Sequence, residues 1–242
     1  MPDVLGDELA RAPGDLRVVS TRLTVISTGL RVPAETRRKC EESVARQFRP
    51  PHGPAFEHVY LDAAEKPWEP AHFEQLVEAV AKLPDDRIVA SLDGDDWLGP
   101  PNALCAVARY FERGALVTYG SFMFADGRKG CPSGAYHPGA DIRATPWRAT
   151  HLKCFRAGLF KRIKHEHLKL PSGEWLPHAR DLALMFPLLE MAGPSRVAHV
   201  SEAVYVYNLA TSTEFTGGED VRRAERECVA YVRGLPPYEV LP

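Results

Sequence analysis

Paired cysteines, long apolar runs and an excess of either charge are all missing from this 242-residue chain, and each absence removes a class of protein. The five cysteines, Cys40, Cys105, Cys131, Cys154 and Cys228, are odd in number, widely spaced and without a CxxC pair. That pattern excludes a disulfide framework and a zinc knuckle, and predicts reduced, packed thiols. The most apolar stretch, Leu182 to Met191, is broken by Pro187 and Glu190 and falls well short of the roughly 20 residues that span a bilayer. No transmembrane segment is therefore expected. Met1 to Gly14 has acidic residues where a secretory signal has basic ones and lacks an apolar centre, so a cytoplasmic location is expected. Thirty basic residues against 32 acidic ones leave a formal net charge of -2. The balance gives no general attraction to nucleic acid, and any phosphate must be held locally.

What the chain does have is alternation. Leu23 to Ser27, His58 to Leu61, Arg87 to Leu92 and Leu116 to Tyr119 have the apolar, β-branched character of buried strands. Helical stripes fall between them: Cys40, Val44 and Phe48 after Pro33; Phe73, Leu76, Val77, Val80 and Leu83; then Leu104, Val107, Ala108 and Phe111. Strand and helix in turn predict an α/β domain with a mostly parallel sheet covered by helices, its ligand beyond the carboxyl ends of the strands. The organisation expected is a lead-in over 1–20 and one domain with two functional halves, 21–125 and 126–242. In the second half, a glycine- and proline-rich segment from Gly127 to Gly139 precedes helices near Ala157 to Ile163 and from Asp181. Two strands, Val197 to Val200 and Val204 to Tyr207, and a C-terminal helix around Val221 to Tyr231 complete it.

The densest chemistry is Asp93-Gly94-Asp95-Asp96, which follows the third strand directly and leads into Trp97-Leu98-Gly99-Pro100. Carboxylates this close repel one another unless a cation neutralises them. A turn that merely caps the next helix needs one acid, so three point to a divalent metal site for a phosphorylated ligand, with Mg2+ or Mn2+ the matched hard ions. Asp95 is the first metal ligand on this reading. Asp93 binds metal or ribose, and Asp96 contacts the ligand directly or through water. Thr28 and Gly29 end the first strand and Asp62 ends the second, so the topology brings them to the same crevice. Arg148, His151, Lys153 and Arg156 form a basic cluster suited to phosphate or acceptor, although most such clusters are solvated faces. His165 and His167 are expected at the surface, and Tyr205, Tyr207 and Asn208 as packing.

This strand, Asp-x-Asp-Asp turn and Pro-containing helix start resembles the metal-binding signature of the family-2 glycosyltransferases. Thr24 to Thr28 looks like the family's first strand, and Ser43-Val44-Ala45-Arg46-Gln47 resembles its first-helix segment. The resemblance implies a GT-A fold and transfer of a sugar from a nucleoside diphosphate sugar, UDP favoured, to an unknown acceptor hydroxyl. It also implies Asp62 as a contact of the nucleotide base. Arg180-Asp181-Leu182 resembles the family's later acidic motif, which implies Asp181 as the catalytic base of an inverting reaction. Here Arg180 replaces the first acid of that motif. A nucleotidyltransferase needs a Gly-rich basic loop that Thr28-Gly29-Leu30-Arg31 matches poorly; a module that retains the nucleotide sugar without turnover is the other alternative.

Overall fold

The structure, a computed structural model, describes residues 21–51, 53–63, 71–130, 134–210 and 218–242. The lead-in over 1–20, and Cys131 with part of the Gly127 to Gly139 segment, lie outside the described residues. Alternation in the first half is realised as β1 (Arg22–Gly29), α1 (Ala34–Ala45), β2 (Ala55–Asp62), α2 (Ala71–Ala81), β3 (Ile88–Asp93), β4 (Trp97–Leu98), α3 (Ala103–Glu112) and β5 (Val117–Phe124). The second half supplies β6 (Lys153–Arg156), the single-turn α4 (Ala157–Phe160), α5 (Arg180–Ala192), β7 (Val197–Tyr207) and α6 (Glu219–Gly234). Among the described residues no helix is long and apolar enough to cross a membrane.

The expectation of a GT-A fold with a mostly parallel, Rossmann-like sheet is overturned by the strand pairing. Strand order is β2-β1-β3-β6-β5-β7-β4. β1 pairs with β2 and β3 in parallel, and β5 with β7. β6 instead runs antiparallel to both β3 and β5, and β4 antiparallel to β7. The domain is a single α/β unit on a mixed sheet that curls into a half-barrel. Alternation in the first half could not reveal this, because the reversing strand β6 comes from the second half.

Chain length requires the curl. β3 and β4 are joined by only Gly94, Asp95 and Asp96, yet they stand four positions apart in the sheet. A flat sheet would part them by about 19 Å at some 4.8 Å per strand. Four steps of extended chain reach about 14 Å. The sheet therefore bends until the β7–β4 edge comes back over the end of β3, and the acidic turn crosses the gap.

Side chains alternate between the two faces. Ile26, Val89, Val117 and Phe155 face one core with Phe73, Leu76 and Val80 of α2, the α5 residues Leu182, Phe186 and Leu189, and Cys228 and Val232 of α6. Leu23, Val25, Ile88, Ala90 and Cys154 face the other, with Cys40 and Val44 of α1 and Leu104, Val107 and Phe111 of α3. Smaller departures from the sequence reading have local causes. Phe48 lies beyond the end of α1 and is 59% exposed, because the helix stops before the predicted stripe does. β5 runs through Gly120, where an added Cβ would sit 3.1 Å from the His151 carbonyl. The two strands expected near the C-terminus are one, β7, with its register against β5 shifting near Ser121. His167 is buried, its Nδ1 2.9 Å from the Tyr238 hydroxyl, rather than at the surface.

Candidate active site at the carboxyl ends of β1 and β3

The first and third strands run side by side in parallel, so Thr28 lies opposite Asp93 and Gly29 opposite Asp62 of β2. Three strand ends thus share one rim. The acidic turn is bound to this rim through its backbone. Gly94 N–H donates to the Thr28 carbonyl at 2.8 Å, and the Tyr60 hydroxyl donates to the Gly94 carbonyl at 3.3 Å. A Cβ on Gly94 would come within 2.5 Å of the Tyr60 hydroxyl and 2.9 Å of the Thr28 carbonyl, so close approach demands glycine here. A Cβ on Gly29 would meet side-chain tips, the same phenol at 2.6 Å and Val32 at 2.7 Å, so that position is less strictly held to glycine.

The three carboxylates of the turn have different surroundings. Asp96 is 2% exposed; its Oδ2 accepts from the Tyr205 hydroxyl at 2.5 Å and its Oδ1 from the Asn208 N–H at 2.7 Å. Burial, with Asp93 and Asp95 adding repulsion, pushes its carboxyl up to about 8. Asp96 is therefore the turn's anchor, and both oxygens are spoken for. Asp95 is half-buried, and its carbonyl accepts from the Asn208 side-chain amide at 3.3 Å. The Asp93 side chain is 43% exposed, while its N–H lies 3.3 Å from the Tyr205 hydroxyl. Tyr205 and Asn208 thus clamp the turn from β7.

Opposite the turn stands β6. Its antiparallel register sets Lys153 across from Ser91, and His151, two residues before Lys153 and outside the strand, comes next to Asp93. His151 is stacked on Tyr205, with ring centroids 4.5 Å apart and planes within 18°. Its Nδ1 is 3.8 Å from Asp93 Oδ2, beyond hydrogen-bond range, and has no hydrogen-bond partner among the described residues. Burial first, and Lys153 second, lower its pKa to about 4, so the imidazole is neutral. Lys153 reaches Asp181 in the first turn of α5, with Nζ 2.6 Å from Oδ2. Burial by itself would raise the Asp181 carboxyl, but Lys153, His151 and Arg180 more than offset that and hold it below the usual carboxylate range.

The remaining sequence-predicted residues are distributed as follows. Asp62 is exposed at the rim and accepts from Arg37 Nη1 at 2.8 Å; the Arg37 guanidinium covers the Tyr60 ring at 4.2 Å. Arg148 is half-buried in the loop before β6, its N–H donating to the Tyr136 hydroxyl. Arg156 is at the far end of β6, opposite Ile88, where Nη1 donates to the Asp86 carbonyl and the guanidinium covers Phe111. The structure therefore brings Thr28, Gly29, Asp62, Asp93, Asp95, Asp96, His151, Lys153 and Asp181 to one end of the sheet and leaves Arg156 at the other. Tyr205, Asn208, Tyr60 and Arg37 belong to the site and were not singled out as functional from the sequence. Only Tyr205 and Asn208 carried a signal, as polar-tipped residues ending an apolar strand.

Two half-exposed carboxylates suit an ion that takes its other ligands from phosphate and water. Among the described residues no three His, Cys, Asp or Glu side chains converge on one point.

No family model and no curated protein matches the chain. Solved structures do. One of S. aureus TarS superposes with a TM-score of 0.56 at 16% identity, covering 90% of this chain and 41% of that one. The TarS fragment 1–349 in complex with UDP-GlcNAc gives 0.54 at 16% identity, covering 90% of this chain and 68% of the fragment. The same fragment in complex with UDP gives 0.52 at 17% identity, covering 88% and 65%. This chain thus spans about two fifths of the longer TarS structure, and what the two share is the fold.

Proposed function

We propose that this chain is a metal-dependent glycosyltransferase of family-2 type, which moves a sugar from a nucleoside diphosphate sugar to an acceptor hydroxyl with inversion. UDP is the favoured nucleotide. The observation that carries the reading is the meeting of Asp93 and Asp95, on a turn clamped by Tyr60, Tyr205 and Asn208, with Asp181 held across from them by Lys153. A TarS fragment of the same fold was solved with UDP-GlcNAc and with UDP, which supports a nucleotide sugar as the ligand class.

On this reading the rim of Thr28, Gly29 and Asp62 receives the nucleoside, with Asp62 accepting from the base. Asp93 and Asp95 hold a divalent ion, Mg2+ or Mn2+, which when bound would offset negative charge on the departing diphosphate. Asp96 keeps the turn in place from behind. Asp181 accepts the acceptor hydroxyl proton as the oxygen attacks the anomeric carbon from the face opposite the diphosphate. Arg148 and the neutral His151 are the candidate polar contacts to phosphate or acceptor.

A second reading, retention of a nucleotide sugar without turnover, is favoured by one observation: Asp181 is ion-paired with Lys153 and flanked by Arg180 where the family pattern has an acid. Both are separated by incubating a panel of nucleotide sugars with Mn2+ and assaying release of nucleoside diphosphate. Transfer predicts release that Asp181→Asn abolishes with donor affinity kept, and that Asp95→Ala loses together with metal-dependent binding. Donor binding that is unchanged in Asp95→Ala would remove the metal assignment. Binding without release across the panel would favour the retention reading.

A further inference from the structure

A lysine is almost never fully buried unless its charge is matched, and Lys153 is 2% exposed. It sits in mid-sheet on β6 between β3 and β5, with Phe155 of the same face entirely buried beside it. Its partner is not buried to match: the Asp181 side chain is 46% exposed. The contrast within the chain is Arg143 with Glu190, a bidentate pair in which both side chains are 9% exposed and which joins α5 to the end of α6. Both partners of that structural pair are hidden, whereas Arg87 with Glu57, which also joins a buried cation to an exposed anion, lies at the end of β3 away from Asp93. In the Lys153–Asp181 pair the cation is enclosed, and the anion, tied through Oδ2, faces outward.

We propose that Lys153 is the positioning residue of this site: from beneath, it fixes the Asp181 carboxylate so that its exposed side meets the acceptor hydroxyl. The inference rests on the reading of Asp181 as the base and deepens it. A carboxylate in the first turn of a helix can swing about its side-chain torsions. A short bond to an ammonium that cannot itself move removes that freedom before substrate arrives. The groups that face Asp181 are Lys153 and the neutral His151 from β6 and Arg180 from its own helix, and of these Lys153 makes the direct 2.6 Å contact. The sequence reading assigned Lys153 to phosphate or acceptor; the geometry gives its ammonium to the base.

The test uses Lys153→Met, similar in length and uncharged, beside Lys153→Arg and the comparison variant Arg87→Met. Arg87 is also a buried cation with an exposed partner, Glu57, but begins at the opposite end of β3 and donates to Thr24 as well. The first readout is the 13C-carboxyl titration of Asp181, assigned by its loss in Asp181→Asn. It is expected below the usual carboxylate range in wild type and in Arg87→Met, and about one pH unit or more higher in Lys153→Met. The second readout is kinetic: kcat is expected to fall about 10- to 100-fold in Lys153→Met, with donor affinity within about twofold of wild type and partial recovery in Lys153→Arg. An unmoved Asp181 titration in Lys153→Met overturns the proposal, as does a loss confined to donor affinity, which would return Lys153 to the phosphate. Should Lys153→Met not fold, an Asp181 midpoint at or above the usual value in wild type overturns it equally. A wild type that turns over no donor would instead sink the transferase reading, and the carboxyl titration would still decide whether Lys153 governs Asp181.

Discussion

His151 makes the pH dependence of folding a direct probe of this site. Its ring is buried against Tyr205, within reach of the charges of Lys153, Asp93 and Asp181, and its pKa is lowered from 6.5 to about 4. A histidine whose folded value lies below its unfolded one leaves the unfolded chain to bind the proton first. Its contribution to stability is therefore complete above pH 6.5 and is lost as pH falls through the window down to 4. The difference corresponds to about 3 kcal/mol, a large fraction of the 5–15 kcal/mol typical of a domain. The perturbation is His151→Gln, which removes the titrating ring while keeping a polar side chain of similar length. Urea unfolding of both proteins at half-unit steps from pH 4 to 8, with equal m-values, gives the difference between them at each pH.

Above pH 7 the wild type should be the more stable, since it keeps the ring stack on Tyr205, worth about 1 kcal/mol. By pH 4 that order should have reversed, the difference having moved by about 3 kcal/mol. Asp96 acts in the opposite sense: its carboxyl is raised to about 8, so its contribution is full below 3.8 and is lost as pH rises to 8. Because Asp96 is present in both proteins, subtraction removes it. A difference that stays flat from pH 7 to 4 would refute the assignment of His151 as a buried neutral ring. A difference that grows on acidification would mean that protonated His151 pairs with Asp93.

Three further outcomes follow from the packing. Gly94→Ala forces a Cβ against the Thr28 carbonyl, which cannot step aside as a side-chain tip can; a loss of about 1–3 kcal/mol in urea unfolding is expected, and no loss would mean that the turn does not sit on β1. Tyr205→Phe removes the 2.5 Å bond to Asp96 and should cost about 1–3 kcal/mol. Because that bond lowers the Asp96 carboxyl, its 13C titration should move up in the variant, and a downward move would contradict the clamp. Arg143→Met leaves Glu190 buried with the Tyr238 N–H but without its cation; about 3–5 kcal/mol should be lost by calorimetry, and Glu190→Leu in the same chain should recover much of it.

Local signals carried the helices and strands of the first half, because there each element's apolar period is matched by a neighbour in sequence. Cys40 and Val44 are buried on α1, as are Phe73, Leu76 and Val80 on α2, where the spacing puts them. The same signals placed Thr28, Asp62 and Asp93 at strand ends, and parallel pairing does bring those ends together. What could not be read was the strand that breaks the pattern. Lys153 to Arg156 is only four residues long and mixes two basic residues with Cys154 and Phe155, so as a sequence it resembles a solvated cluster. Only when β3 and β5 flank it does its alternation acquire meaning.

That one strand accounts for both the error in the fold and the changed roles in the site. Inserted antiparallel between β3 and β5, it turns a parallel sheet into a mixed one and points His151 and Lys153 at the carboxyl end of β3 while carrying Arg156 to the other end. Within the basic cluster taken together in the sequence, the direction of the chain parts Lys153, opposite Ser91, from Arg156, opposite Ile88 at the start of β3. The curl has the same kind of origin. Three residues between β3 and β4 are too few to cross four flat strand spacings, and this shortness brings Tyr205 and Asn208 of β7 onto the acidic turn. Asp96 could be noticed in the sequence as a charge; that it is the anchor, and Asp93 and Asp95 the outward pair, depends on contacts made more than a hundred residues away.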